Sequence, residues 1–387
     1  MRSGPRNIVF IINSLTAGGA ERALIDLLGY LEDHLKTFAV HLVLLDDEEE
    51  RHSAPVWLKK HVLYANSNLV SSVVLLARLL KQLKPVLALS FLNRSNCANV
   101  IASKLLGYPC IISERVHTTS HFGTGASAMV NRTIVRLTYP LANQVVAVSE
   151  GVKDDLLANF GVRASLVRVI HNPINTDRIC EYASAAPGIR FPEPYIVGMG
   201  RLVPNKNFRL LIEAYRSSQI AENLVILGDG PGRHELENMV AHYGLSGRVI
   251  LPGYVKNPYP IIKAARLFVC SSNAEGFPNA LIEAMALGCP VVSTDCDTGP
   301  LEILTGQSGP RCKEVTHAQY GILLPTNAPD LMAAAIRAGC DETTRMLYSL
   351  RGRERANDYG VRSSVDRYWA AIAPYALSSC SHNGPDS

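Results

Sequence analysis

The sequence predicts an α/β protein built from two doubly wound parallel-sheet domains, and three observations predict it. Strand-like runs alternate with helical stretches along nearly the whole chain. The runs are rich in β-branched residues and almost continuously apolar, the pattern of strands covered by helices on both faces. They also fall into two series, separated by a stretch rich in proline, alanine and glycine.

The first series comprises residues 7–12, 39–44, 86–91, 110–113, 145–148 and 167–170, and the second 195–197, 224–227, 249–251, 267–270, 291–293 and 321–324. Residues 171–194 between them read as the linker. The expected division is a first domain over 1–180, a second over 181–360, a helix over 361–377 and a disordered polar tail over 378–387. A helix over 341–355 precedes the last one, and neither of these helices carries a ligand-like motif. With 387 residues, 47% of them hydrophobic, the chain can fill two sizeable cores.

Composition excludes several classes. The apolar start at Ile8–Ile12 is too short for a signal-peptide core, and no later run approaches the length needed to cross a bilayer. Nine cysteines without metal-ligand spacing read as reduced thiols, so a cytoplasmic protein is expected. Residues 1–190 hold 20 Lys and Arg against 15 Asp and Glu, whereas the remainder holds 18 against 19. The basic half lacks interleaved stacking aromatics, which argues against nucleic acid and for anionic lipid or a phosphorylated acceptor. Gly18-Gly19 and the run Gly228-Asp229-Gly230-Pro231-Gly232 each follow a strand, but neither has dinucleotide-fingerprint spacing, so an NAD enzyme is not expected.

Residues 272–294 are the most informative. A strand leads into a loop with Glu275, a helix opens at Phe277-Pro278 and stops at Gly288, and Glu283 lies within that helix. The helix start around Gly276, Phe277, Pro278, Asn279 and Ala280, at the positive end of the helix dipole, would seat a phosphate. Glu275 beside that anion makes sense if it grips the hydroxyls of an attached sugar, and a ribose hydroxyl pair would suit Glu283. Arg201 and Lys206 follow the first strand of the second domain, where a fork and a point charge suit a diphosphate leaving group. Gly18 and Gly19 let backbone approach a ligand closely, with a plain tight turn as the alternative.

The two glutamates with seven residues between them resemble the signature of the retaining GT-B glycosyltransferases of family four. The resemblance continues through Gly200-Arg201-Leu202 with Lys206-Asn207-Phe208, through Ile226-Leu227-Gly228-Asp229-Gly230-Pro231, and through Gly18-Gly19-Ala20-Glu21-Arg22. It implies two Rossmann-like domains facing across a cleft, with the acceptor on the first, the nucleotide sugar on the second, and the final helix crossing back to the first. It implies that Arg201 and Lys206 bind the nucleotide diphosphate and that a histidine in residues 113–121 meets the donor sugar. His117 is preferred for its place near the strand end, and His121 stays open.

The implied activity is transfer of a hexose or N-acetylhexosamine from a nucleotide-diphosphate sugar, UDP favoured, to a glycan or lipid-linked glycan in surface polysaccharide or glycoconjugate synthesis. Glu275, His117, Arg201 and Lys206 would be catalytic, with the anomeric configuration retained by front-face attack. An epimerase or phosphorylase on the same fold, or a silent nucleotide-binding subunit, are the alternatives. No cofactor or metal is expected, since Asp295-Cys296-Asp297 follows the glutamate-bearing helix and no further ligand joins it. Two basic amphipathic segments, Val73, Val74, Leu76, Leu80 and Leu83 with Arg78, Lys81 and Lys84, and Met129, Val130, Ile134, Val135 and Leu137 with Arg132 and Arg136, are candidates for peripheral contact with the cytoplasmic face of the inner membrane. Core packing is the alternative for both, favoured for the first.

Overall fold

The computed structural model describes residues 5–16, 18–123 and 125–377. The expected disordered tail and Ala17 of the first glycine motif lie outside the described residues. The chain divides into two compact units. The first takes in the chain up to Val148, then Val152–Pro173 and everything from Val361; the second takes Ser149–Gly151 and Ile174–Gly360.

The first unit contains β1 (Asn7–Ile12), α1 (Gly19–Leu35), β2 (Ala39–Leu44), β3 (Lys59–Val62), α2 (Leu69–Leu83), β4 (Leu87–Phe91), α3 (Asn93–Leu106), β5 (Cys110–Glu114), α4 (Thr118–Phe122), α5 (Ala126–Thr138), β6 (Gln144–Ala147), α6 (Glu150–Phe160, whose first two residues belong to the second unit) and β7 (Val167–Val169). Its seven strands lie in the order β3-β2-β1-β4-β5-β6-β7, all parallel. Ile8–Ile12 of β1 are wholly buried because neighbouring strands flank them and helices cover both faces. Leu24, Leu27, Leu28, Leu31 and Leu35 of α1 recur at helical spacing and join that core.

The second unit contains α7 (Thr176–Tyr182), β8 (Tyr195–Met199), α8 (Phe208–Ser218), β9 (Asn223–Leu227), α9 (Arg233–His242), β10 (Val249–Gly253), α10 (Tyr259–Ala264), β11 (Leu267–Cys270), α11 (Asn279–Ala286), β12 (Val291–Thr294), α12 (Pro300–Thr305), β13 (Thr316–His317), β14 (Ile322–Leu324), α13 (Pro329–Cys340) and α14 (Glu342–Asn357). The sheet order is β10-β9-β8-β11-β12-β14-β13, parallel except for β13. The last helix, α15 (Val361–Leu377), belongs to the first unit. Val365, Tyr368, Ile372 and Ala376 sit in the core of β1 and α1, and Trp369 stacks on His34 with centroids 4.9 Å apart. Each fully buried large side chain there contributes roughly 1.5–3 kcal/mol, which fixes the return of the chain.

The expected domain boundary shifts. The second unit begins at Ile174, earlier than the expected 181, because Ile174 N–H donates to the Tyr359 carbonyl at 3.0 Å and pairs with Gly360. The expected linker therefore holds a helix, α7, capped by the Asn175 side chain. Two strands escape the sequence reading. Lys59-Lys60-His61-Val62 is a polar edge that pairs only with β2, and Thr316-His317 is an exposed two-residue strand. Neither has an apolar face to signal it.

Both sheets reverse their winding once, between β1 and β4 in the first and between β8 and β11 in the second. Ligands of open parallel sheets bind beyond the strand carboxyl ends at such switch points, where the following loops diverge. The segments singled out by sequence follow these strands or their neighbours: Gly18-Gly19 after β1, His117 after β5, Arg201 and Lys206 after β8, and Glu275 after β11. Backbone strain marks the same place. Leu92, directly after β4, adopts φ 73° and ψ 151°, a region essentially reserved for glycine.

Candidate active site

In the second unit, the loops after β8 and β11 are stitched together. Asn273 N–H donates to the Asn205 carbonyl at 2.7 Å, and Ser271 Oγ donates to the Lys206 carbonyl at 2.8 Å. Asn207, in left-handed conformation (φ 46°, ψ 47°), caps α8 while its amide donates to Asn273 and Asn327. These bonds bring Lys206 Nζ to 2.5 Å from Glu275 Oε1, which also accepts from Ser272 Oγ at 2.6 Å. Both side chains are largely buried, with 25% and 10% of their surface exposed. Burial disfavours the ammonium, but the Glu275 carboxylate outweighs it and holds the Lys206 pKa above the ordinary value.

The loop after β12 fixes the other side of Glu275. Thr298 Oγ1 donates to the Glu275 carbonyl at 2.5 Å and to the Gly276 carbonyl at 3.2 Å. Gly299 has φ +96°, and a Cβ there would lie 2.6 Å from Pro278 Cδ, so only glycine lets the two loops meet. Ser149 Oγ, in the segment that belongs to this unit, donates to the Gly276 carbonyl at 2.9 Å. The helix begins later than expected: Pro278 is its N-cap rather than a helical residue and makes no side-chain cap bond, and Asn279 and Ala280 open α11. Gly288 terminates the helix with φ +72° as expected. Glu283, in the middle of α11, is buried.

Arg201 differs from Lys206 in exposure. It is exposed, and its guanidinium makes no hydrogen bond or ion pair among the described residues. Its loop is held by backbone alone: Leu202 N–H donates to the Asp229 carbonyl and Gly232 N–H to the Leu202 carbonyl, each at 2.9 Å. A Cβ on Gly228 would lie 1.9 Å from the Gly200 oxygen, which explains the glycine run after β9. Asp297 is ion-paired with Arg311, and Asp295 accepts the Cys312 N–H at 2.7 Å. Among the described residues no three His, Cys, Asp or Glu side chains gather to hold a metal.

In the first unit, a Cβ on Gly18 would lie 2.0 Å from a Glu21 carboxylate oxygen. Glu21 thus folds back over the first turn of α1, where an incoming phosphate would meet its charge. His117 is the N-cap of α4: its Nδ1 accepts from Ser120 N–H at 3.3 Å and contacts Ser120 Oγ at 2.8 Å. His117 Nε2 lies 3.6 Å from Asp155 Oδ1. His121, one turn on, is exposed and packs edge-on against Phe122. The histidine that the fold holds in place is His117.

Comparison with known proteins identifies the family. The profile of "Glycosyl transferases group 1" matches residues 183–346, and that of "Glycosyltransferase Family 4" matches residues 17–178. The chain belongs to the family 4 glycosyltransferases. It is similar to an N-acetylgalactosamine-N,N'-diacetylbacillosaminyl-diphospho-undecaprenol 4-alpha-N-acetylgalactosaminyltransferase of Campylobacter jejuni, 28% identical over 90% of this chain and 94% of the relative. HepE of Anabaena in complex with UDP superposes with a TM-score of 0.75 at 20% identity, over 95% of this chain and 100% of that one. Sucrose-phosphate synthase of Thermosynechococcus elongatus superposes with a TM-score of 0.78 at 17% identity, over 96% of this chain and 100% of that one. These likenesses establish the GT-B fold, with two parallel-sheet α/β units.

The glycosyltransferase also carries a buried polar floor that sequence reasoning missed. Glu114, wholly buried at the end of β5, accepts from Tyr139 Oη at 2.5 Å and from the amides of Arg115 at 2.9 Å and Val116 at 3.3 Å. Asn93 and Asn96 each donate to Tyr139 Oη at 3.1 Å. Arg115, itself buried, donates to Tyr368 Oη at 2.9 Å and to Asn172. These partners are far apart in sequence, and no local spacing signals them.

Burial pushes the Glu114 carboxyl up to about 7, even though the hydrogen bonds it accepts favour the anion. The ordinary glutamate value is 4.5, so between that pH and about 7 the unfolded chain ionises while the folded one does not. Stability is therefore highest below the lower value, falls as pH rises through the window, and levels above it. Glu114→Gln cannot ionise. Relative to wild type, its unfolding free energy should improve by on the order of 2 to 3 kcal/mol from pH 4.5 to pH 8 in denaturant titrations; a constant difference across that range would contradict the assignment.

Proposed function

We propose that this glycosyltransferase transfers an N-acetylhexosamine or hexose from a UDP-sugar to a lipid-linked glycan with retention of configuration. The observation that carries this reading is the Lys206–Glu275 pair beside the start of α11, with the exposed Arg201 after the adjacent strand β8. It joins a cation, a carboxylate and the N-terminus of a helix, the groups that a diphosphate linked to a sugar requires. The Campylobacter relative, named for a diphospho-undecaprenol acceptor, and HepE, complexed with UDP, support the acceptor and the base.

In this reading, Glu275 and His117 hold the sugar, Glu283 the ribose, and Arg201, Lys206 and the amides of Asn279 and Ala280 the diphosphate. The bond from the anomeric carbon to the β-phosphate oxygen breaks, and a bond to the acceptor hydroxyl oxygen forms on the same face. The acceptor proton passes to the departing phosphate oxygen. Charge growing on that phosphate is met by fixed cations and amides, the usual route by which preorganised groups lower a barrier. Gly18 and Gly19 contribute backbone approach, within the limit set by the Glu21 carboxylate.

The two glutamates separate by experiment. Glu275→Ala should lower turnover strongly yet leave UDP affinity intact or raised, because it frees Lys206 from its ion pair. Glu283→Ala should weaken UDP and UDP-sugar together, by about 1.5 to 3 kcal/mol for a lost charge-assisted hydrogen bond. Calorimetric titration of both variants with UDP, beside turnover with a panel of UDP-sugars, decides it; equal losses of UDP affinity would sink the assignment.

Metal independence belongs to the same proposal. Since the leaving group has cations and amides of its own, EDTA should leave most turnover intact, whereas loss restored by manganese or magnesium would return Asp295 and Asp297 to the mechanism.

A lipid-linked acceptor would bring the enzyme to the cytoplasmic face of the inner membrane, and α5 is the segment suited to it. Met129, Val130 and Leu137 are 71%, 58% and 67% exposed, while Val135 is buried. In α2, by contrast, Leu76 and Leu80 are buried, so its apolar stripe serves mainly the core. The α5 arginines are committed to the fold: Arg132 donates to the Thr119 and Gly123 carbonyls and Arg136 to that of Asn159. The informative variant is therefore Met129→Asp with Val130→Asp. It should abolish flotation with anionic liposomes at low salt without lowering the melting temperature, and unchanged flotation would assign membrane contact elsewhere.

A further inference from the structure

Buried polar atoms without a hydrogen-bond partner gather around one short helix of the first unit. Among the described residues five side-chain atoms are in that state, and three of them, Arg115 Nε, Thr118 Oγ1 and Arg132 Nε, flank α4. Arg115 lies in the turn before the helix and Thr118 is its first residue; they are 6% and 1% exposed. Arg132, on α5, reaches over α4 and donates through Nη2 to the carbonyls of Thr119 and Gly123, each at 2.7 Å. A native fold satisfies nearly all of its buried donors, so a cluster of exceptions asks for a partner that the chain does not supply.

The charges are unmatched as well. Arg115 donates to Tyr368 Oη at 2.9 Å, to Ser113 Oγ at 3.4 Å and to Asn172, and lies 5.4 Å from the centre of the Phe91 ring. All of these partners are neutral. Arg132 is met by carbonyls, and neither arginine makes an ion pair among the described residues. The carboxylates of the region are engaged elsewhere: Glu114 with Tyr139 and two amides, and Asp155 with Thr119, Asn159 and the His117 ring. A guanidinium does not lose its proton, so the cost of withdrawing it from water persists until an anion arrives.

We propose that Arg115, Arg132 and Thr118 form a phosphate-binding site, whose natural ligand is the diphosphate of the lipid-linked acceptor. The planar guanidinium forks offer N–H donors that fit phosphate oxygens, and the threonine hydroxyl adds a further donor. Entry is by way of Arg132, which is half-buried and held at α4 by carbonyls; a phosphate oxygen is the stronger acceptor and takes their place. Met129 and Val130, exposed on the same helix within one turn of Arg132, add the apolar surface that a diphosphate esterified to an isoprenoid requires. The site stands on the first unit's own residues, whereas the choice of carrier rests on the proposed transfer to a lipid-linked glycan.

The test titrates the full chain calorimetrically with geranyl diphosphate in the presence of saturating UDP, and separately with UDP alone. Arg115→Gln and Arg132→Gln should each weaken geranyl diphosphate binding by on the order of tenfold or more, the loss expected for a charge-assisted hydrogen bond, and leave UDP binding unchanged. Thr118→Val should weaken it less and without lowering the melting temperature, because the hydroxyl it removes has no partner to lose. That variant, with Arg132→Gln, carries the test if Arg115→Gln does not fold. Weakened UDP with unchanged geranyl diphosphate overturns the acceptor as the carrier and gives the site to the donor. Unchanged affinity for both probes in the variants overturns the site itself. A wild type that binds geranyl diphosphate but not UDP marks a failure of the donor assignment in the second unit, which the losses in the variants tell apart from a failure of this site.

Discussion

A buried ammonium must find a carboxylate, and in this protein that requirement joins two loops of the second unit, those after β8 and β11. Lys206 follows β8 and Glu275 follows β11, the two strands between which the second sheet reverses its winding. Neither charge could be withdrawn from water alone, because an isolated buried ion costs several kcal/mol or more. Their pairing forces the loops together, and the hydrogen bonds of Asn205, Asn207, Ser271 and Asn273 follow from that closeness. The same pair commits Lys206 to Glu275, whereas Arg201, after the same strand, is exposed.

Glycines set the spacing around this pair. Gly299 lets the loop after β12 lie against Pro278, and Gly228 lets the loop after β9 lie against Gly200. In each case a methyl group would stand closer than 3 Å to backbone or to a proline ring, where no side-chain rotation gives relief. The constraint is thus one of backbone approach, with conformational freedom as its means. Thr298 then ties the approach chemically by donating to the Glu275 and Gly276 carbonyls, which turns the Glu275 side chain inward.

How legible this was depends on the range of each interaction. The central strands were readable because each is a short run buried on both faces, and the glutamate loop was readable because strand, loop, helix and glycine cap follow one another within residues 267–288. The edge strand Lys59–Val62 was not, since it pairs with a single neighbour and carries no apolar face. The start of the second unit was misplaced because a single bridge, Ile174 to Gly360, decides it across nearly the whole second unit. Asp155 and Glu114 were invisible for the same reason: their meaning lies in partners on other elements, and a lone buried acid has no periodicity. The helix is read from sequence as opening at Phe277-Pro278, yet with ψ 91° Pro278 stands outside it.

The first unit meets its electrostatic demand differently. Where the second unit neutralises a buried cation with a buried carboxylate, Arg115 is buried beneath the His117 loop and is met by Tyr368, Asn172 and the face of Phe91, which lies 5.4 Å away. Glu114, its neighbour, turns to Tyr139 and to the chain's own amides instead. A direct pair between these two side chains would have drawn both toward each other and left β5, α15 and the turn before His117 unlinked. Splitting the charges sends one partner set to α15 and the other to α3 and the Tyr139 turn. The backbone of residues 114–117 is thereby fixed from opposite sides, and the residue it delivers at the end of that turn is His117.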